Sequence, residues 1–176
     1  MARHPRCSTI GYSRAVEAIR AMQALFVAWI GLFAALVALN NIVDYGTNFR
    51  FVQHVFSMDT TFPGTKLRRR AIHSSTVHHL AYCLIIAAEA LTAALCLWGA
   101  ALLVGALGLP PKMFTEAKTV ALAGLALGFS VWFGGFMVAG SQWFASWQSK
   151  EWNGREAAFM FYTPIALVFL ILLQKV

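Results

Sequence analysis

The chain has 176 residues, 59% of them hydrophobic and only 12% charged, and a formal net charge of +7. The charged share is about half the roughly 25% of soluble proteins, and a water-soluble domain this short has too little polar surface to cover so much apolar side chain. This excludes a soluble enzyme. It also excludes a nucleic-acid binder, because Lys and Arg flank the apolar runs instead of lining a polar face; the medium for most of this single domain, residues 1–176, is lipid.

The first apolar run, AMQALFVAWIGLFAALVALNNIV, extends from Ala21 to Val43. It is longer than the core of a cleaved signal peptide, and no small-x-small site precedes its polar end. It therefore reads as an uncleaved transmembrane helix over about residues 14–44, with Ser13 as candidate N-cap. The connection that follows contains FVQHVFSMDTTF, Phe51 to Phe62. Phe49, Val52, Val55, Phe56 and Phe62 have the spacing of a short helix lying in the interface, with Arg50 and Asp59 towards water. Pro63-Gly64 ends it as a turn, and the basic cluster Lys66 to Arg70 is placed to meet lipid phosphates.

A second helix is expected over about residues 77–109, longer than a span requires and therefore tilted or projecting. Pro110 and Pro111 stop it. A third covers about residues 115–145, with Gly124 and Gly128, then Gly135 and Ala139, at the small-xxx-small spacing that lets membrane helices approach closely. The fourth, about residues 154–174, is kinked at Pro164 and capped by Asn153 with Glu156 three places on. The expected fold is all-α: an integral membrane four-helix bundle with an interfacial helix or loop between helices one and two. Both termini then share a side. Lys and Arg are evenly divided between the two faces, but the flank before helix one is the more basic, which places the termini in the cytoplasm.

Few residues bear chemistry. Glu89 lies in the middle of the second helix, where a lone carboxylate costs about 3 kcal/mol unless protonated or paired. Steps of three and four put it on one stripe with His78, Tyr82, Ile85, Ile86, Thr92 and Cys96, so it should face the bundle or a subunit interface. It is either a coupling carboxylate for protons or a protonated structural acid. His54, His73, His78 and His79 share one membrane face, where a haem b or a metal ion is geometrically allowed. Adjacent histidines on a helix, however, point about 100° apart and no CxxCH occurs, so interfacial hydrogen bonding is the reading the pattern favours. Cys83 and Cys96 lack metal spacing and read as small buried side chains; Cys7 does not sit in a lipoprotein signal. In SSTVHH a serine precedes histidines without an acid or glycine elbow, so it is no hydrolase signature. Trp143, Trp147 and Trp152 occupy the place of an aromatic belt.

DYGTNFRFVQHVFSMDTTF, the following RAI, the glutamate of the next helix and WQSKEWNGREAAFMFY resemble a family of bacterial small integral membrane proteins catalogued as a domain of unknown function. The resemblance covers nearly the whole chain through NFxFVxHVxSMDTTF and WNGxE. It implies a four-helix protein of the bacterial inner membrane and brings no catalytic residues.

Three functions compete. The first is a non-catalytic subunit or interaction protein, packed on a larger inner-membrane complex of respiratory type or on itself, with lipids as its other partners and no cofactor. The second is a haem- or metal-binding redox subunit using the four histidines. The third is an oligomeric proton-coupled transporter built on Glu89. Under the first, the two loops on one face are expected to meet, and Gln53, His54, Asp59, Gln148, Trp152 and Asn153 to form a recognition surface of an aromatic anchor and uncharged hydrogen-bonding groups.

Overall fold

The computed structural model describes the backbone of residues 7–176 and side chains from Arg14 onward; His4 and the Cys7 thiol lie outside the described residues. Five α-helices are present among them: α1 Cys7–Val43, α2 Tyr45–Ser57, α3 Ser75–Gly105, α4 Pro111–Phe129 and α5 Arg155–Leu173. α4 continues as a π-helix, Ser130–Trp143. Four helices, with α4 and the π-helix as one, are long and apolar enough to cross a membrane. α2 is the additional helix between the first two.

Each long helix is apolar nearly all round, as a helix between protein and lipid must be. α1 turns Gln23, Ala24, Val27, Ile30, Ala34, Ala38 and Asn41 inward at steps of three and four, while Trp29, Leu36 and Ile42 face outward. α3 packs between α1 and α4, turning Tyr82, Glu89, Thr92, Cys96 and Gly99 inward.

Several boundaries differ from expectation for local reasons. α1 starts at Cys7, so Ser13 lies within it and is not its cap. α3 ends at Gly105 and a turn carries the chain to Pro110. Pro111 then opens α4 at a first-turn position, where a missing N–H costs nothing. α5 begins at Arg155, after Gly154. Asn153 still serves the start, because its Oδ1 accepts from the Arg155 N–H.

The small-residue face is corrected in part. A Cβ on Gly124 would stand 2.8 Å from Cys96 Sγ, and one on Gly128 would stand 2.9 Å from Thr92 Cγ2, so these glycines do set the approach of α4 to α3. Gly135 and Ala139 do not: both are exposed, and nothing lies within 4 Å of a Cβ on Gly135. The change to i→i+5 bonding at Ser130 breaks the i, i+4 phase and rotates them off the packing face. The tightest approach is instead at Gly99 of α3, where a Cβ would come within 2.5 Å of the Ala121 backbone nitrogen.

At the end of the bundle shared by the start of α1 and the end of α5, polar side chains close the helix termini. Arg20 donates to the Leu107 and Leu109 carbonyls at 2.9 and 2.7 Å and to the Val176 carbonyl at 3.2 Å. Gln23 donates to the Ile171 carbonyl and Lys118 to that of Gln174. The Phe114 ring lies under both cations. The ends of α3 and α5 carry the negative ends of their helix dipoles, so cations placed beside them are favourable.

Gly99→Ala is expected to lower stability by about 1–3 kcal/mol, because α3 and α4 must separate, while Gly135→Ala leaves it unchanged or higher. Reversible unfolding of the two variants in mixed micelles checks the contrast; equal effects would contradict it.

Candidate functional site

At Asp44 the backbone leaves helical geometry (φ −116°, ψ 60°), and α2 starts again at Tyr45. The break brings α2 against α3 and over the mouth of the bundle. Its inner side carries Asn48, Phe51 and Val52, which help line a cavity of about 330 Å³ between α1, α2, α3, the π-helix and α5.

The polar wall of this cavity is a relay of amides ending on an acid. Asn48 Nδ2 donates to Asn41 Oδ1 at 2.6 Å, and Asn41 Nδ2 donates to Glu89 Oε2 at 2.7 Å. The Tyr82 hydroxyl donates to the Asn41 carbonyl at 3.4 Å. Glu89 is 1% exposed, and the Asn41 amide is its one hydrogen-bond partner among the described residues. Phe51, Trp132, Phe136 and Phe161 supply aromatic walls, beside the aliphatic Val37, Val52 and Ile85. Lysine, arginine and histidine are missing from the lining, as are serine, threonine and cysteine.

A second cluster lies on the far side of α2. Val55 and Met58 pack against Phe144 and Ala145, with Phe56, Leu67, Ile72 and Trp152 around them. Met58 is buried in the left-handed region (φ 49°) and ends α2. Here the two loops meet. Thr60 Oγ1 donates to Ser149 Oγ at 2.9 Å, the Phe62 N–H donates to Gln148 Oε1 at 3.1 Å, and His54 stacks on Trp152 at 4.4 Å. Arg68 donates to the carbonyls of Met58 and Asp59, and Arg70 lies over Trp143. Gly154 belongs to this seam, since a Cβ there would stand 2.7 Å from the Phe51 ring.

Of the six residues nominated for a recognition surface, His54 and Asp59 pair with each other at the surface, Gln148 bonds to the opposite loop, and the Trp152 indole Nε1 is buried without a partner. His54 Nδ1 is 2.8 Å from Asp59 Oδ2, Gln148 is buried, and Trp152 is half-buried under His54. Gln53 and Asn153 are exposed. The four histidines are not brought together. His78 donates from Nε2 to the Ile72 carbonyl, His79 shares a 2.9 Å hydrogen bond with Tyr45, His54 faces Asp59 and His73 is exposed. Among the described residues, no three His, Cys, Asp or Glu side chains are grouped to hold a metal ion. Burial, then the Cys83 thiol, raises the Tyr45 phenol above its ordinary range, so it stays protonated at neutral pH.

Asn41, Asn48 and Trp132 carry no signal by themselves in the sequence. Asn41 could have been found from its phase, because it continues the inward row Ala34, Ala38 by one step.

With this geometry the sequence matches one described family over residues 19–175. The chain belongs to the family described as "Predicted small integral membrane protein (DUF2165)". No curated protein and no solved structure matches it. The four apolar spans agree: this is a multi-pass integral membrane protein.

Cysteines at Thr60 and Ser149, with the native cysteines replaced, are expected to form a disulfide on mild oxidation in membranes. A gel-mobility shift reversed by reductant reports it; a folded double variant that never crosslinks would separate the loops.

Proposed function

We propose that the protein is a non-catalytic membrane binding protein whose working part is the Glu89 cavity. One observation carries this reading: a cavity of about 330 Å³ with aromatic walls, in which the polar groups converge on one buried acid. Small-molecule sites have this composition, largely apolar with a few placed polar groups, and begin at about this size. Glu89 and Tyr82 are the groups in the lining able to form covalent bonds, and the lining supplies no histidine, lysine or second carboxylate to activate them, which favours binding over catalysis.

The cap serves this reading as a support for α2. Its hydrogen bonds run between its own loops, so it holds the cavity roof in place and leaves few groups for a partner. Attachment to a respiratory complex of a bacterial inner membrane rests on size and topology alone. The transporter reading shares the Glu89 cavity and would use the same bound state.

The protein in mild detergent is tested with benzyltrimethylammonium, neopentylbenzene, benzenesulfonate and benzyl alcohol. A ligand at about 100 times its Kd adds about 2.7 kcal/mol, or a rise in Tm of about 5–10 °C at this chain length. At least one compound is expected to raise the Tm of the native protein, and Ala157→Phe, which fills the cavity, to abolish the rise. No shift with any of them, or equal shifts in the filled variant, overturns the reading.

A further inference from the structure

Glu89 is the acid of this cavity and has no basic counterpart in it. Arg20 and Lys118, the buried cations, are committed to helix ends, and Arg20 lies about 30 Å along α1 from Asn41 at 1.5 Å per residue. Arg50, Lys66, Arg68 and Arg69 are exposed on the outer cap. Inside the lining, the acid meets only amide donors. One amide does not offset the desolvation of an ionised carboxylate; a buried charge of this kind needs an opposite charge close to it.

The walls complement the same kind of group. Five aromatic rings line the cavity, from Phe51, Tyr82, Trp132, Phe136 and Phe161. Ring faces attract a desolvated cation by about 2 kcal/mol or more, whereas they repel an anion. An uncharged guest would leave the acid as it is and gain only apolar burial.

We propose that the cavity takes a small lipophilic organic cation, a quaternary or protonated amine with apolar substituents, whose charge pairs with Glu89 while its body lies against the aromatic walls. This rests on the cavity being a binding site. Binding exchanges one proton for one cation: the Glu89 O–H bond breaks, the proton leaves to water, and the carboxylate pairs with the ligand. Proton and ligand therefore compete for one acid. The groups that face Glu89 leave the exchange to it. α1 presents Asn41, α2 presents Asn48, the π-helix and α5 present Trp132, Phe136 and Phe161, and the other titratable group in the lining is Tyr82, a phenol uncharged at acidic pH.

Equilibrium binding of benzyltrimethylammonium and of neopentylbenzene, its uncharged carbon isostere, tests the assignment in mild detergent. The ammonium keeps its charge at every pH, so any pH dependence reports the protein. Native protein should bind the cation at least tenfold tighter than the isostere, and weaken towards acid pH with release of about one proton per ligand. Glu89→Gln should lose at least tenfold for the cation, lose its acid dependence and keep its affinity for the isostere. The acid dependence of the native protein stands as the test should Glu89→Gln fail to fold. Equal binding of cation and isostere, unchanged in Glu89→Gln and flat with pH, overturns the cation assignment and leaves the cavity reading standing. If neither compound binds and benzyl alcohol and benzenesulfonate also fail, both readings fall.

Discussion

Every polar group that this chain carries into the membrane must find its partner inside the protein, because lipid offers none. At one end of the bundle cations and an amide meet most of the requirement, with Arg20 Nε and Gln23 Oε1 left buried without a partner. Arg20 reaches carbonyls of the turn after α3, Gln23 and Lys118 reach carbonyls at the end of α5, and the Phe114 ring supports both cations. Positive charge at the negative ends of two helix dipoles is a stable arrangement. It ties α1 to α3 and α5 and fixes how the long helices stand together.

At the other end the same requirement is met with amides. Asn48 and Asn41 point their donors in sequence towards Glu89, and the chain of bonds ends on an acid with no basic partner. The bundle is therefore asymmetric: cations stand at one end, and a cavity with a lone acid lies towards the other. The cavity lies at the Glu89 end, where α2 roofs the bundle and the π-helix places Trp132 and Phe136 along one wall.

The roof and the cap form a second mechanical unit. α2 holds the cavity with Asn48, Phe51 and Val52 on one side, and packs Val55 and Met58 into the loops on the other. Any change in the seam between Phe51 and Gly154 is felt by both. The loop residues with the most distinctive sequence thus pack against one side of α2, whose other side lines the cavity.

The four spans were legible in the chain, because apolar run length against bilayer thickness is a local quantity; Pro110 and Pro111 marked the turn but not the end of the helix before it, which stops at Gly105. Spacing alone also placed Glu89 on one stripe with Tyr82 and Thr92. The partners of that stripe were not legible. Asn41 is 48 residues from Glu89 along the chain and meets it only once α1 and α3 have packed. The failure at Gly135 and Ala139 has the same origin, since a small-residue spacing predicts contact only while the helix keeps its period, and the π-helix changes the period at Ser130. Gly99 was silent for the converse reason: its need for a bare backbone is set by Ala121 of another helix. The sequence by itself determined the solvent of this protein and the number of its spans. Tertiary packing alone decided which polar groups found partners and left one acid without a counter-charge, because those pairings join segments far apart in the chain.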